Sequence, residues 1–288
     1  MIFILLFLTI GSSKEKSTEA VPAFSGFSGR ETAEKCPRPL EDERIARLLQ
    51  EITAEKKLTE DNFSFFYHNM DTNAYFFWNP NKWVTAASTM KVPIAMTYYD
   101  KIKNGDITEN TRCVFSGGTY QLQNQGNSTG KQNTVESLIR KMIVNSDNTA
   151  TDMLSIALGG RKIYKKQYVK YTDEKLPDDF CEKNIISAAF GHDIMMYLYQ
   201  HSADYERILQ YMKEASPGKR LKKYLIGCEA ASKYGTYNGY VHDYGIVYGE
   251  TTYIIGVFTK DVIGAEELIA YISKRVFEMI GESSSAGM

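Results

Sequence analysis

Segments with strand character lie near both ends of this chain, and a long stretch of helical character separates them. The strand-like segments, rich in aromatic and β-branched residues and bounded by turn residues, are 63–67, 75–78, 230–235, 239–248 and 252–259. Short strands need partners in a sheet, so the two groups must meet across the helical stretch of about 104–222. The sequence therefore predicts an α+β fold, an α/β sandwich. In it, an antiparallel sheet from the N- and C-terminal strands is covered by helices and carries an inserted all-helical lobe.

Apolar residues recur at helical spacing in several parts of the chain. The expected helices are 41–57, about 88–103, 134–143, 149–158, 187–199, 204–215 and 268–280. The first and last of them would cover one face of the sheet, and Gly281 is expected to end the last one. Residues 115–133 are rich in Gly, Ser, Asn and Gln and indicate an exposed loop.

The N-terminus has a different composition from the rest. Residues 1–13 form an apolar segment that is too short to span a bilayer of ~30 Å as a helix and is typical of a secretory signal, although no Lys or Arg precedes it. A buried first strand is the alternative. Residues 14–39 read as a low-complexity tether and 40–282 as the folded domain. We therefore expect an extracytoplasmic protein that is secreted, periplasmic or associated with the cell envelope, with the N-terminus as a membrane tether if it is retained.

Charge and cysteine spacing limit the partners. Lys+Arg 34 against Asp+Glu 35 gives a net charge of −1, which offers no long-range attraction for nucleic acid. The four cysteines lack C-x-x-C spacing and the histidines lack ligand spacing, so we expect no metal and no cofactor. One or two disulfides and free thiols both remain open. We expect a monomer that acts on a small molecule.

Ser88-Thr89-Met90-Lys91 is the strongest chemical signal in the chain. It precedes an apolar run, and in a helix Ser88 and Lys91 would share one face, one turn apart. An amine so placed can take the serine proton and generate a nucleophile without histidine. The tetrad alone arises often by chance, but Ser146-Asp147-Asn148 and Lys233-Tyr234-Gly235-Thr236 follow it in order.

These motifs, S-x-x-K, S-D-N and a K-x-G-T box in this order, resemble those of class A β-lactamases and penicillin-binding proteins. The resemblance covers about residues 40–282 and implies the β-lactamase/transpeptidase-like fold and a serine acyl-transfer mechanism. It implies Ser88 as the nucleophile, Lys91 as the base, Ser146 as the proton relay to the leaving nitrogen, and Lys233 as its partner. Burial and the nearby Lys233 are expected to lower the pKa of Lys91.

The same resemblance implies the substrate contacts. Asn148 would hold Lys91 and the substrate amide, while Lys233 and the Thr236 hydroxyl would face a substrate carboxylate. The backbone N–H groups of Ser88 and Thr236 would form the oxyanion hole, with Gly235 between the lysine and the threonine. Arg220 could assist in binding the carboxylate or be a solvated turn residue. Each motif also has a structural interpretation, since Ser146-Asp147-Asn148 could simply cap the next helix.

Two positions depart from the family pattern. Tyr234 stands where the family usually has threonine, and strand alternation predicts that its side chain points away from the cleft. The family's E-x-x-L-N segment, whose glutamate activates the deacylating water, is absent from residues 161–187. Glu174 and Glu182 lie in this range, and Glu182 is the candidate base, with a surface carboxylate as the alternative. His242-Asp243 predicts a hydrogen-bonded structural pair rather than a catalytic one.

The predicted function is therefore a serine acyl-transferring hydrolase of the class A β-lactamase type whose deacylation base is unidentified. The alternatives are a D,D-peptidase or esterase of the same fold acting on cell-wall peptide-like substrates, or a penicillin-binding sensor domain that stays acylated.

Overall fold

The computed structural model of this chain describes residues 42–123 and 133–285. The predicted signal segment and the tether lie outside these residues. The described strands, in chain order, are β1 (Phe63–Asn69), β2 (Tyr75–Trp78), β3 (Val84–Thr85), β4 (Arg112–Ser116), β5 (Thr119–Gln123), β6 (Ile185–Ile186), β7 (Glu229–Tyr237), β8 (Tyr240–Tyr248) and β9 (Thr252–Lys260). The described α-helices are α1 (Glu43–Lys56), α2 (Lys91–Lys103), α3 (Val135–Val144), α4 (Asn148–Ala157), α5 (Arg161–Tyr164), α6 (Ala188–Gln200), α7 (Glu206–Glu214) and α8 (Ala265–Ser285).

The strands from the two ends of the chain form one antiparallel sheet in the order β2-β1-β9-β8-β7. The predicted α+β fold with a shared sheet is therefore confirmed. β1 is paired on both sides, and all seven of its residues are buried. β7 is an edge strand of this sheet, so one of its long sides is free to face the helices around Ser88.

Helices cover both faces of the sheet, as the alternation of β1 requires. Phe65 packs into one core with α1 and α8, through residues such as Leu49 and Ile272. Its neighbour Phe66 points to the opposite face and belongs to the core shared with α2, α6 and the helical middle. The two terminal helices thus cover one face, as the sequence predicted.

The helical middle builds its core against α2. Tyr98 of α2 is fully buried, and its hydroxyl donates to the carbonyl oxygen of Leu154 in α4 over 2.8 Å. Thr134 caps the start of α3, and its side chain accepts a hydrogen bond from the N–H of Ser137, so the predicted capped helix is confirmed.

Three predictions about local structure are wrong. The described part of the expected loop 115–133 contains the end of β4 and all of β5, which form a hairpin in which Ser116 pairs with Thr119. The inserted lobe, predicted to be all-helical, therefore also contains strands. Gly117 and Gly118 both have positive φ and allow the tight turn that joins the strands. In addition, Gly281 does not end the last helix, because α8 continues to Ser285.

A short ladder ties the start of α2 to the segment before α6. Val84 of β3 pairs with Ile186 of β6, and Thr85 pairs with Ile185. The thiols of Cys113, Cys181 and Cys228 are free, and Cys36 lies outside the described residues. Among the described helices, none combines the length and the apolar character needed to cross a membrane.

Candidate active site

Ser88 lies in a short 3-10 helix, Ala87–Met90, that runs directly into α2. Ala87 has φ of 50°, a left-handed conformation that is unfavourable for a residue with a Cβ and that concentrates at functional sites. Two contacts hold this turn. The Asn184 side-chain amide donates to the carbonyl oxygen of Ala87 over 2.9 Å, and Nε2 of His242 donates to the carbonyl oxygen of Thr85 over 2.8 Å.

Ser88 is half-buried. In the described parts of the chain, no group forms a hydrogen bond with its Oγ. A nucleophile in this state is accessible to a substrate carbonyl and loses no existing hydrogen bond when it attacks.

The Lys91 side chain joins the S-x-x-K turn to the S-D-N motif. Its Nζ lies 2.6 Å from the carbonyl oxygen of Ser146, 3.1 Å from Ser146 Oγ and 2.9 Å from Asn148 Oδ1. Lys91 is 4% exposed, so these bonds form away from bulk water. Of the three partner atoms, only Ser146 Oγ carries a hydrogen of its own. It can therefore donate to Lys91 whenever the amine is neutral.

Burial lowers the pKa of both lysines in the site. The pKa of Lys91 falls to about 8, against the opposing attraction of Asp147 and Asp152. Burial, together with the repulsion from the Lys91 charge, lowers the pKa of Lys233 to about 7. Two interacting amines lose their protons as a pair, so we assign to the pair, rather than to either lysine, the loss of one proton near neutral pH.

The S-D-N motif is both a helix cap and part of this cluster. Asp147 accepts a hydrogen bond from the N–H of Ala150 over 2.8 Å and so begins α4. Ser146 precedes it with φ of 56°. The cap and the left-handed residue together turn Ser146 and Asn148 toward Lys91.

The K-x-G-T box lies on the edge strand β7, directly against the Ser88 turn. A Cβ on Gly235 would lie 2.8 Å from the backbone nitrogen of Ser88 and 2.9 Å from the carbonyl oxygen of Ala86. Only glycine allows this approach of β7 to the backbone of Ser88. Lys233 is fully buried, and its Nζ donates to the carbonyl oxygen of Tyr234 over 3.2 Å.

Arg220 contacts residues of the K-x-G-T box and is not a solvated turn residue. It is 7% exposed and pairs with Glu266. Its Nη2 donates to Thr236 Oγ1 over 3.4 Å, and its Cζ lies 4.4 Å from the centre of the Tyr234 ring. The prediction that Tyr234 points away from this region is wrong. Positions 234 and 236 differ by two and so lie on the same face of β7.

The candidate deacylation base lies at the surface. Glu182 is exposed, and its carboxylate lies 2.6 Å from Nζ of Lys162. Glu174 is half-buried, and its backbone N–H donates to Thr172 Oγ1. Neither glutamate contacts Ser88 or Lys91 in the described structure, so the predicted role of Glu182 gains no support from its position.

Some side chains that support this region are not indicated by the sequence. Lys165 is buried at the start of the segment that contains Glu174 and Glu182, and its Nζ donates to the carbonyl oxygens of Phe180 and Lys183 over 2.6 and 2.7 Å. The prediction that His242 and Asp243 form a hydrogen bond with each other is wrong, because each has a different partner. His242 supports Thr85, whereas Asp243 accepts from the backbone N–H of Leu221, because adjacent strand residues face opposite sides. The residue types of Lys165, His242 and Asp243 do not by themselves indicate these partners.

Comparison with known proteins places this geometry in context. A sequence profile described as "Beta-lactamase enzyme family" matches residues 43–280. A comparison with curated protein sequences finds no match.

Among solved structures, the fold is similar to that of PBP-A, with 23% sequence identity, a TM-score of 0.67, and coverage of 82% of this chain and 96% of that chain. It is also similar to a β-lactamase from Chitinophaga pinensis DSM 2588, with 18% identity, a TM-score of 0.65, and coverage of 82% and 99%. For the TLA-1 extended spectrum β-lactamase the values are 18% identity, a TM-score of 0.67, and coverage of 83% and 98%. At such identities the structural likeness establishes a shared fold.

Proposed function

The chain belongs to the β-lactamase enzyme family, and we propose that it is a serine hydrolase in which Ser88 forms an acyl-enzyme with β-lactam-like amides. The observation that carries this proposal is the cluster around Lys91. A buried amine with a lowered pKa binds Ser146 Oγ and Asn148 Oδ1, and it lies one helical turn from an accessible serine hydroxyl. These are the parts that acyl transfer by a serine–lysine pair requires.

Acylation follows from the arrangement. The neutral amine of Lys91 takes the Ser88 proton as Oγ bonds to the substrate carbonyl carbon, and the carbonyl oxygen becomes an oxyanion. The backbone N–H groups of Ser88 and Thr236 are the proposed donors to that oxyanion, which the close approach of Gly235 to the Ser88 backbone nitrogen supports. When the C–N bond breaks, the Ser146 hydroxyl gives its proton to the leaving nitrogen and receives one from the Lys91 ammonium. Lys91 is then neutral again, and Ser88 carries the acyl group as an ester.

Release of the acyl group distinguishes the candidate functions. Asp147 and Asp152 are the carboxylates that raise the pKa of Lys91, and Asp147 is already engaged in capping α4. With Glu182 paired to Lys162 at the surface, we assign water activation to Lys91 as well. A single amine serving both steps favours slow release. The second candidate is therefore a D,D-peptidase or esterase of this fold, or a sensor domain that remains acylated.

A structural neighbour shows that this fold holds such an adduct. A mutant of PBP-A, 23% identical to this chain with a TM-score of 0.67, has been solved as an acyl-enzyme complex with penicillin G. We extend this to the present chain as part of the proposal, with a small β-lactam or a cell-wall peptide-like amide as the acyl donor.

Intact-mass spectrometry after addition of penicillin G tests the proposal. We expect a mass increase equal to that of the whole ligand, located on the peptide that contains Ser88, and no increase in the Ser88→Ala variant. A persistent adduct supports slow release of the acyl group or a sensor domain, and a transient adduct supports a β-lactamase. Turnover of a D-Ala-D-Ala peptide or a simple ester with a persistent lactam adduct supports the second candidate. No adduct with any of these acyl donors would refute the assignment.

We also propose that the protein acts outside the cytoplasm. The apolar residues 1–13, followed by the polar segment 14–39, support this. Fusion of residues 1–39 to a reporter that is active only after export tests it, and retention of that reporter in the cytoplasm would contradict it.

A further inference from the structure

The Tyr234 ring lies close to two cationic side chains, Lys233 and Arg220. The ring centre is 4.0 Å from Nζ of Lys233 and 4.4 Å from Cζ of Arg220. Both distances are within the range in which a cation is attracted to the face of an aromatic ring. A threonine, as the family pattern has at this position, has no ring to offer either cation.

The ring changes what these cations can offer a substrate. Lys233 is fully buried, with its Nζ beside the ring and donating to the backbone of Tyr234. Arg220 is 7% exposed, and its charge is already paired with Glu266. Thr236 is exposed, so its hydroxyl is the member of this group that a ligand reaches without moving the protein. A substrate carboxylate would therefore meet a neutral hydroxyl and an aromatic ring instead of two free positive charges.

Resting on the function proposed above, we propose that Tyr234 is a specificity-determining residue that closes the carboxylate subsite. Ser88 then prefers uncharged acyl donors, such as neutral esters and amides, over donors that carry a carboxylate on this side. To bind a carboxylate, the ring must leave both cations, and two cation–ring contacts in a desolvated site correspond to a penalty of about tenfold or more in rate.

A matched pair of ligands tests the proposal. Penicillin G and its methyl ester share the same β-lactam and differ in the carboxylate, so the ratio of their acylation rates at Ser88 isolates the effect of that charge. We expect the wild-type protein to favour the ester. The Tyr234→Thr variant should shift the ratio toward penicillin G by about tenfold or more, because it uncovers Lys233 and Arg220. Tyr234→Phe keeps the ring and should keep the wild-type ratio.

Two further variants complete the test. Tyr237→Thr makes the same substitution on the same strand at a residue that is 63% exposed, and we expect it to leave the ratio unchanged. If Tyr234→Thr does not fold, as judged by circular dichroism, Tyr234→Leu removes the cation–ring contacts while keeping an apolar side chain, and it should shift the ratio in the same direction.

The outcomes separate this inference from the function on which it rests. The role of Tyr234 would be overturned if the wild-type and Tyr234→Thr proteins were both labelled with the same ratio of acylation rates. It would also be overturned if the wild-type protein favoured penicillin G. Either result would leave the proposed function standing. A wild-type protein that neither ligand labels would overturn the proposed function, and the role of Tyr234 with it.

Discussion

The Lys91 amine lies 3.1 Å from the hydroxyl oxygen of Ser146. The direction of this hydrogen bond depends on the charge of the lysine. A charged amine donates to all three of its partner atoms, whereas a neutral amine keeps two hydrogens and accepts from the one partner that has a hydrogen to give. The hydrogen bond therefore changes direction when Lys91 changes charge. Along it, a proton can pass from Lys91 to Ser146 and from Ser146 to a leaving group.

Replacing Ser146 by alanine should therefore affect amides more than activated esters. An amine leaving group must be protonated as it departs, while a phenolate leaves without a proton. We expect Ser146→Ala to lower the acylation rate with a β-lactam by about 10²–10⁴-fold, the usual contribution of a positioned acid, and to lower it much less with a nitrophenyl ester. Stopped-flow kinetics with both substrates measure the difference.

Ser155→Ala is the matched control, because Ser155 lies in the following helix α4 and forms no part of the Lys91 cluster. It should acylate like the wild type with both substrates. Equal losses for amide and ester in Ser146→Ala would contradict the relay and would point to a structural role for the serine.

The acylation rate should rise with pH as the lysine pair loses a proton. Burial lowers the pKa of Lys91 to about 8 and that of Lys233 to about 7, and the reactive form is the one with a neutral amine. At lower pH the pair is fully charged, so the rate should fall by about tenfold per pH unit and level off on the alkaline side. An uncharged ester as substrate keeps its own ionisation out of the profile. A rate that does not change between about pH 6 and 9 would exclude a lysine base.

Much of the fold was predictable because its signals are local. The β1–β2 hairpin is encoded by alternating aromatic residues around the turn Asp71–Asn73, and α3 by the cap at Thr134. The hairpin β4–β5 was missed because its polar composition hid the strand alternation, although Gly117 and Gly118 mark its turn. The order of the motifs predicts Ser88 and Lys91 as the reacting pair, since the chemistry of such a pair depends on residue type and spacing.

The remaining features depend on contacts between distant parts of the chain, which composition and spacing do not report. Alternation along β7 places Tyr234 and Thr236 on one face, but it does not reveal that Arg220 packs over that ring. In the same way, the sequence around His242 does not indicate its hydrogen bond to Thr85. The sequence around Lys165 does not indicate that its amine binds two backbone carbonyl oxygens. Such partners become visible only when the helical insertion and the sheet are assembled.

Adding a methyl group at Gly235 should impair acylation more than folding. The new Cβ would lie 2.8 Å from the backbone nitrogen of Ser88, so β7 and the nucleophile turn must separate. A displacement of this kind disrupts the proposed oxyanion site, and we expect Gly235→Ala to acylate about 100-fold more slowly. Gly281→Ala in α8 is the control, because its Cβ meets no atom within 4 Å. An alanine variant at 235 that acylates at the wild-type rate would show that the close approach has no catalytic role.

Removing the Lys165 amine should destabilise the segment between Lys165 and Lys183. Its Nζ donates to the carbonyl oxygens of Phe180 and Lys183, so Lys165→Met leaves two acceptors without that donor. We expect a loss of about 1–3 kcal/mol in the free energy of unfolding, measured by urea denaturation. Lys166→Met, at the exposed neighbouring position, should have little effect.

The Lys165 effect should also depend on pH with a definite sign. Burial, with a smaller contribution from Arg161, lowers its pKa from 10.5 to about 7. Between these values the unfolded chain binds more protons, so the contribution of Lys165 to stability increases as pH rises. The advantage of the wild type over Lys165→Met should be larger at about pH 9 than at about pH 7, and a smaller advantage at the higher pH would contradict this.

His242 should make the protein sensitive to acid. Its Nε2 donates to the carbonyl oxygen of Thr85, and its Nδ1 accepts from the N–H of Thr259, so both nitrogens are used by the neutral ring. Burial lowers its pKa from 6.5 to about 4. Between these values the unfolded chain binds the extra proton, so the contribution of His242 to stability is lost as pH falls through this window.

Replacing His242 by glutamine tests this dependence. The amide can still donate to Thr85 but does not titrate, so His242→Gln should lose less stability on acidification than the wild type, by up to about 3 kcal/mol over the window. Urea denaturation from about pH 7 to about pH 4 measures this. His201→Gln makes the same substitution at an exposed histidine and should follow the wild-type curve. If the His242→Gln curve runs parallel to that of the wild type, the acid sensitivity arises elsewhere.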